Sequence, residues 1–208
     1  MNLVIIGMPG AGKGTQSAFI CSHYGIPHIS TGDMLRKAAA DGTPLGLQAA
    51  ELINKGQFVP DDTVREIVSW RLSLDDCRNG FLLDGYPRNL HQAEALDEIM
   101  SKMGITLTKA IELSASPEVV LGRLCSRKVC PKCEKVFNGD IKTCDACGSV
   151  LKVRDDDKED VILNRIRIYR EQTAVLTDFY NDKGILVQIE SEHADTPEDV
   201  WNKIKSSL

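Results

Sequence analysis

The segment Gly7-Met8-Pro9-Gly10-Ala11-Gly12-Lys13-Gly14-Thr15 combines closely spaced glycines with one lysine and one hydroxyl. Glycines let a backbone curl until successive N–H groups face one anion. A helix opening at this point would add its positive end, and Lys13 a point charge for β- and γ-phosphates. The common form of such a loop places Ser or Thr directly after the lysine; here Gly14 intervenes before Thr15. Asp84 closes the apolar run Phe81-Leu82-Leu83, so a strand would carry a carboxylate at its end, where it can hold Mg²⁺ through water. A helix cap is the other reading of Asp84. Cys130-Pro-Lys-Cys133 and Cys144-Asp-Ala-Cys147 form two C-x-x-C pairs separated by ten residues. Four thiolates on two tight turns suit a tetrahedral Zn²⁺ with no open position, which makes the metal structural. Free thiols or disulfides are the alternatives, and a reducing compartment favours metal.

These groups need a scaffold. Short apolar runs alternate with helical patterns, which predicts an α/β domain with a largely parallel sheet. The strand candidates are Leu3–Ile6, His28–Ser30, Phe81–Asp84, Ala110–Leu113 and Ile185–Ile189. Helices are expected over Lys13–Tyr24, over a stretch with Ala93, Leu96, Ile99, Met100 and Met103 on one face, over about 160–180, and onward from Pro197. Residues 30–59 contain helical pieces without a strand, and residues 122–159 are turn-rich and hold the paired cysteines. Both read as insertions, with pivots at Gly56 and Gly122, on a core of residues 1–29, 60–121 and 160–208.

The loop, followed in order by Ile29-Ser30-Thr31-Gly32-Asp33-Met34-Leu35-Arg36, Lys55-Gly56-Gln57-Phe58-Val59-Pro60-Asp61, Asp84-Gly85-Tyr86-Pro87-Arg88 and Arg154-Asp155-Asp156-Asp157, resembles the adenylate kinase family over essentially the whole chain. The resemblance implies a P-loop nucleoside monophosphate kinase fold, a five-stranded parallel sheet flanked by helices with two mobile insertions. It also implies reversible transfer of a phosphoryl group between ATP and AMP, giving two ADP, with Mg²⁺. It assigns Gly10, Ala11, Gly12, Lys13, Gly14 and Thr15 to ATP, with Arg123 and Arg127, and with Val136 and Phe137 from the zinc lid. It assigns Thr31, Arg36, Gln57, Phe58, Val59, Gly85, Tyr86, Pro87, Arg88, Gln92, Arg154 and Arg165 to AMP. Arg123, Arg154 and Arg165 would close on the transferred group, although neighbouring Arg167 leaves the register open. Catalysis would then rest on Lys13, Asp84, Arg88, Arg123, Arg154 and Arg165. The family's adenine contact near Ile189 to Thr196 has no matching glycine turn here; Ala194 is the nearest candidate.

Phosphoryl transfer of this kind needs charge neutralisation and alignment more than proton transfer. An AMP phosphate, with a second pKa of about 6, is already mostly a dianion at neutral pH. Accordingly His23, His28, His91 and His193 form no spaced constellation and read as ordinary residues, as do Cys21, Cys77 and Cys125, taken as small buried hydrophobes. A net charge of −5 over 208 residues argues against a nucleic-acid partner. No apolar stretch approaches membrane-spanning length, so a cytoplasmic monomer is expected. Two other readings stay open. Asn89 stands where adenylate kinases often carry Thr, which permits a UMP/CMP-type kinase. The paired cysteines permit a non-catalytic nucleotide switch or zinc-ribbon module.

Overall fold

The computed structural model describes residues 1–133, 135–192 and 194–208. The chain opens with β1 (Asn2–Gly7), α1 (Lys13–Tyr24) and β2 (His28–Ser30), then the helices α2 (Thr31–Ala40), α3 (Pro44–Asn54) and α4 (Asp61–Leu72). There follow β3 (Phe81–Asp84), α5 (Leu90–Lys102), β4 (Lys109–Ser114), α6 (Pro117–Cys125) and a short hairpin, β5 (Arg127–Val129) with β6 (Val136–Asn138). The chain ends with α7 (Glu159–Ile168), α8 (Val175–Asp182), β7 (Leu186–Glu190) and α9 (Pro197–Ser207).

Five strands pair in parallel in the order β2-β3-β1-β4-β7. Parallel strands covered on both faces must be apolar throughout, and alternate residues of β1 bear this out. Val4 and Ile6 join the cluster formed with Val68 of α4, Leu96 of α5 and Leu176 of α8. Leu3 and Ile5 join the opposite cluster, with Ile20 of α1 and Val200 and Ile204 of α9. The five expected strands are all present, each within one residue of its expected ends.

Three features depart from the expected layout. The helix expected over about 160–180 is two helices joined by a π turn, Tyr169–Thr173. Gly122, expected as a pivot, lies inside α6, and the hairpin begins five residues later. Cys125 is exposed, whereas Cys77 is buried and Cys21 half-buried. Gly56 does have the left-handed φ of +67°, and it packs against Val161 of α7. Among the described residues, no helix is long and apolar enough to cross a membrane.

Candidate active site

β1 delivers the phosphate loop to the carboxyl edge of the sheet, and α1 leaves from it. Gly7 is required here: a Cβ would lie 2.2 Å from the Leu113 carbonyl oxygen. Gly12, with φ +101°, caps α1, so the loop reaches the helix N-terminus without a side chain in the way. Ala11 is buried and turns its methyl group into the core. Lys13 folds back over the loop, and its Nζ donates to the carbonyls of Gly7 (2.6 Å) and Met8 (2.9 Å). Burial lowers its pKa to about 8; Asp84 opposes the shift, while Arg88, Arg165 and Arg127 add to it. Gly14 is open to solvent and Thr15 half-buried.

Asp84 stands at the end of β3, in register with Ile5 of β1 and Ser30 of β2. It caps no helix, because α5 is capped by Asn89. Instead its Oδ2 lies 3.3 Å from Nε2 of the exposed His28. His91 likewise meets Asp61, at 3.1 Å, and His193 lies outside the described residues.

A cationic cluster faces the loop. Arg88 donates from Nε to the Gly85 carbonyl (2.7 Å) and stacks on Phe58, 4.9 Å from the ring centroid. The Gly85 carbonyl also receives the Thr31 hydroxyl at 3.0 Å. Arg36 is bonded to Asp33 of its own helix, and Arg154 reaches the same carboxylate at 3.7 Å. Arg127 donates from Nε to Asp157 (2.7 Å), and Arg165 pairs with Asp156 (2.9 Å). Arg165 is the inward member of its pair; Arg167 is exposed and bound to Glu171. Burial first, then mutual repulsion, lowers the pKa of Arg88 and of Arg154 to about 10 each, and Arg165 falls in the same direction. Arg123 lies by the loop's Gly12 and donates to Ser191 at the end of β7.

Several expected contacts are arranged differently. Tyr86 is fully buried and Val59 nearly so, both within the core cluster, so their backbones rather than side chains border the cleft. Pro87 is buried too, after a cis Tyr86–Pro87 bond, and Gln57 is exposed. Phe137 is buried in the hairpin's own cluster with Cys130, Cys144 and Leu151, which leaves β6 its backbone and the half-buried Val136 to offer. Gln92 is buried and its amide is engaged at both ends, by the Arg88 N–H and by Asp61. Ala194 is exposed.

The sequence reading passed over Asp33, Asp61, Asp156, Asp157 and Thr173 as functional positions. Buried arginines need carboxylates nearby, and that requirement points to Asp33, Asp156 and Asp157, which flank Arg36 and Arg154, but not to Asp61, whose partners are Asn89, His91 and Gln92. No comparable signal marks Thr173, whose hydroxyl holds the Arg88 carbonyl at 2.6 Å from the π turn.

The four cysteine sulfurs lie within 4.8 Å of one another, with separations of 3.3 Å (Cys130–Cys147), 3.5 Å (Cys133–Cys144) and 3.8 Å (Cys133–Cys147). Thiolates about 2.3 Å from a tetrahedral zinc stand about 3.8 Å apart, so the cluster fits such an ion.

Residues 5–185 match the family described as adenylate kinase. The chain belongs to the adenylate kinase family. It is 46% identical to an adenylate kinase of Pseudothermotoga lettingae, over 100% of both chains. It is 44% identical to one of Archaeoglobus fulgidus, over 100% of this chain and 98% of the relative. A third, from Thermodesulfovibrio yellowstonii, is 47% identical over 91% of each. The activity is accordingly ATP:AMP phosphotransfer, and the UMP/CMP-type and zinc-ribbon readings fall away. Asn89, which had kept the first of these open, has a local explanation within this adenylate kinase fold. Its Oδ1 caps α5 at the Gln92 N–H (2.8 Å), while its Nδ2 holds Asp61.

Proposed function

We propose that the cleft between the phosphate loop and the arginine cluster carries ATP:AMP phosphotransfer with the following division of labour. The loop from Gly10 to Thr15 cradles the triphosphate, with Lys13 leaving its resting carbonyls for the β- and γ-phosphates. Arg123 and Arg127 hold the ATP side. Arg36 and Arg88 hold the AMP phosphate, Arg88 braced by Phe58 and Thr173. Arg154 and Arg165 converge on the transferred group. Gln92 and Thr31 face the AMP base. The observation that carries this reading is the convergence of Lys13, Arg88, Arg127 and Arg165 beside the loop, with Arg36 and Arg154 adjoining, where burial first and neighbouring cations second lower the pKa of Lys13, Arg88 and Arg154; such a cluster suits polyphosphate.

Asp84, a hard oxygen donor beside Lys13, is the residue suited to Mg²⁺, directly or through water. Bound there, Mg²⁺ would supply charge neutralisation for the β- and γ-oxygens. Zinc would be held by the four thiolates as a structural ion. Residues 30–59 and 122–159 act as insertions that close over the two nucleotides and exclude water. In support, Arg154 meets Asp33 across the cleft, and Asn164 Nδ2 donates to the Lys55 carbonyl at 2.9 Å. On this reading the enzyme works as a monomer in the cytoplasm; among the described residues no helix is long and apolar enough to cross a membrane.

Steady-state kinetics of Arg36→Ala and Arg123→Ala test the division. The first should raise KM for AMP about tenfold or more, leaving that for ATP within about twofold, and the second the reverse, each being the loss of one charge-assisted contact. Equal effects of both variants on both substrates would refute it.

A further inference from the structure

Gln92 is 2% exposed, and both ends of its amide are committed. Oε1 accepts the Arg88 backbone N–H at 2.8 Å, and Nε2 donates to Asp61 Oδ1 at 2.6 Å. A backbone N–H can only donate. An ionised carboxylate can only accept, and Asp61 is held ionised: although burial pushes its pKa up, hydrogen bonds from Gln92, Asn89 and His91 outweigh it and bring it below the ordinary value. Rotating the Gln92 amide by half a turn would therefore set donor against donor and acceptor against acceptor. Its orientation is forced by two neighbours of fixed polarity. Asp61 is fixed in turn by the first turn of α4, by Asn89 Nδ2 (3.0 Å) and by His91 Nδ1 (3.1 Å).

The amide retains one N–H and one oxygen lone pair beyond those two bonds. Adenine presents an amino donor at position 6 beside an acceptor at N1, whereas a 6-oxopurine presents an acceptor at position 6 beside an N1–H donor. An amide free to flip would serve both patterns; one that cannot flip serves a single one.

We propose that Asp61 is a positioning residue for base selection: by clamping the Gln92 amide in one orientation, it makes the monophosphate site reject 6-oxopurine nucleotides rather than adapt to them. The inference rests on the assignment of Gln92 to the AMP base. Discrimination arises because the wrong base leaves buried polar groups facing their own kind.

The test compares kcat/KM for AMP and IMP, which share ribose and phosphate and differ at position 6 and N1. In Asp61→Asn the residue offers Gln92 either an oxygen or an NH2 group at almost unchanged volume. The AMP/IMP ratio should fall about tenfold or more, with the gain appearing as a lower KM for IMP. Asp61→Ser is the second variant, used if the first does not fold, and thermal melts verify folding. Gln92→Leu is the control for the underlying assignment. If Gln92→Leu collapses the ratio while the Asp61 variant leaves it unchanged, or lowers both substrates together, the clamp is refuted and the base contact stands. If Gln92→Leu also leaves the ratio unchanged, it is the assignment of Gln92 to the base that fails.

Discussion

Lys13 rests on the carbonyls of its own loop, which satisfy a desolvated ammonium; in the role proposed for it, phosphate oxygens would replace them. The lowered pKa has a measurable consequence. Below about 8 the folded protein carries the full penalty of a buried ammonium; this penalty is relieved as pH rises from about 8 towards the unfolded value of 10.5. A bound triphosphate reverses the shift. At about pH 8.5 the phosphates are fully ionised, so Lys13 is the group left to take up a proton. Calorimetry of ATP binding in buffers of different ionisation enthalpy should show uptake approaching about one proton, absent in Lys13→Met. The same variant, and Arg88→Ala, should lose several hundred-fold in kcat/KM, the loss of a contact worth about 3–4 kcal/mol in the transition state, with circular dichroism unchanged. A folded Lys13→Met enzyme with near-normal turnover would show that the loop works without its lysine.

The hairpin β5–β6 has too little apolar material to hold itself together. Its described core is Cys130, Phe137, Cys144 and Leu151, with Cys147 packed alongside, and much of that is the proposed metal site. A filled four-thiolate site leaves no position for water or phosphate, so the ion would serve as a staple and not as a Lewis acid. Changing Cys130 and Cys133 to Ser should remove bound zinc and lower the melting temperature. Activity at about 10–15 °C, where weakened folds survive, should stay within about tenfold, roughly 1.4 kcal/mol of barrier. Metal analysis, a melt and cold kinetics together decide it; a normal melt with no activity would assign the ion to catalysis. The position of Arg127 bears on the outcome, since this first residue of β5 is anchored by Asp157, outside the hairpin.

Across the whole molecule, positive charge in the cleft is balanced by carboxylates that the fold holds in place. Burial raises the pKa of Asp156, but Arg165, Arg36, Arg127 and Arg154 outweigh it; for Asp33, Arg36, Ser30 and Arg154 do the same. Carboxyls depressed on folding stabilise the protein above their unfolded pKa of about 3.9, and that contribution disappears as pH falls through the lower folded value. Urea midpoints should therefore be level from about pH 7 to 5 and fall below about 4, with a shallower fall in Asp156→Asn; an identical slope in that variant would contradict the assignment. The frame itself was legible in the sequence because β1 and β3 are apolar runs closed by Gly7 and Asp84, and because parallel strands leave so plain a pattern. The arginines were legible through their motifs. What could not be read was which acid pairs with which arginine, or the fixing of Gln92 by Asp61 thirty-one residues away, since these depend on how α4, α5 and the Asp155–Asp157 turn pack. Nor does any composition signal betray the π turn between α7 and α8. That turn sets a phase. Each residue advances a helix by about 100°, so deleting one between Arg165 and Leu176 would rotate everything beyond it by that angle. Either Arg165 would leave the cleft or Leu176 and Tyr180 would leave the core, and one-residue deletions in this stretch should be absent from any library of active variants.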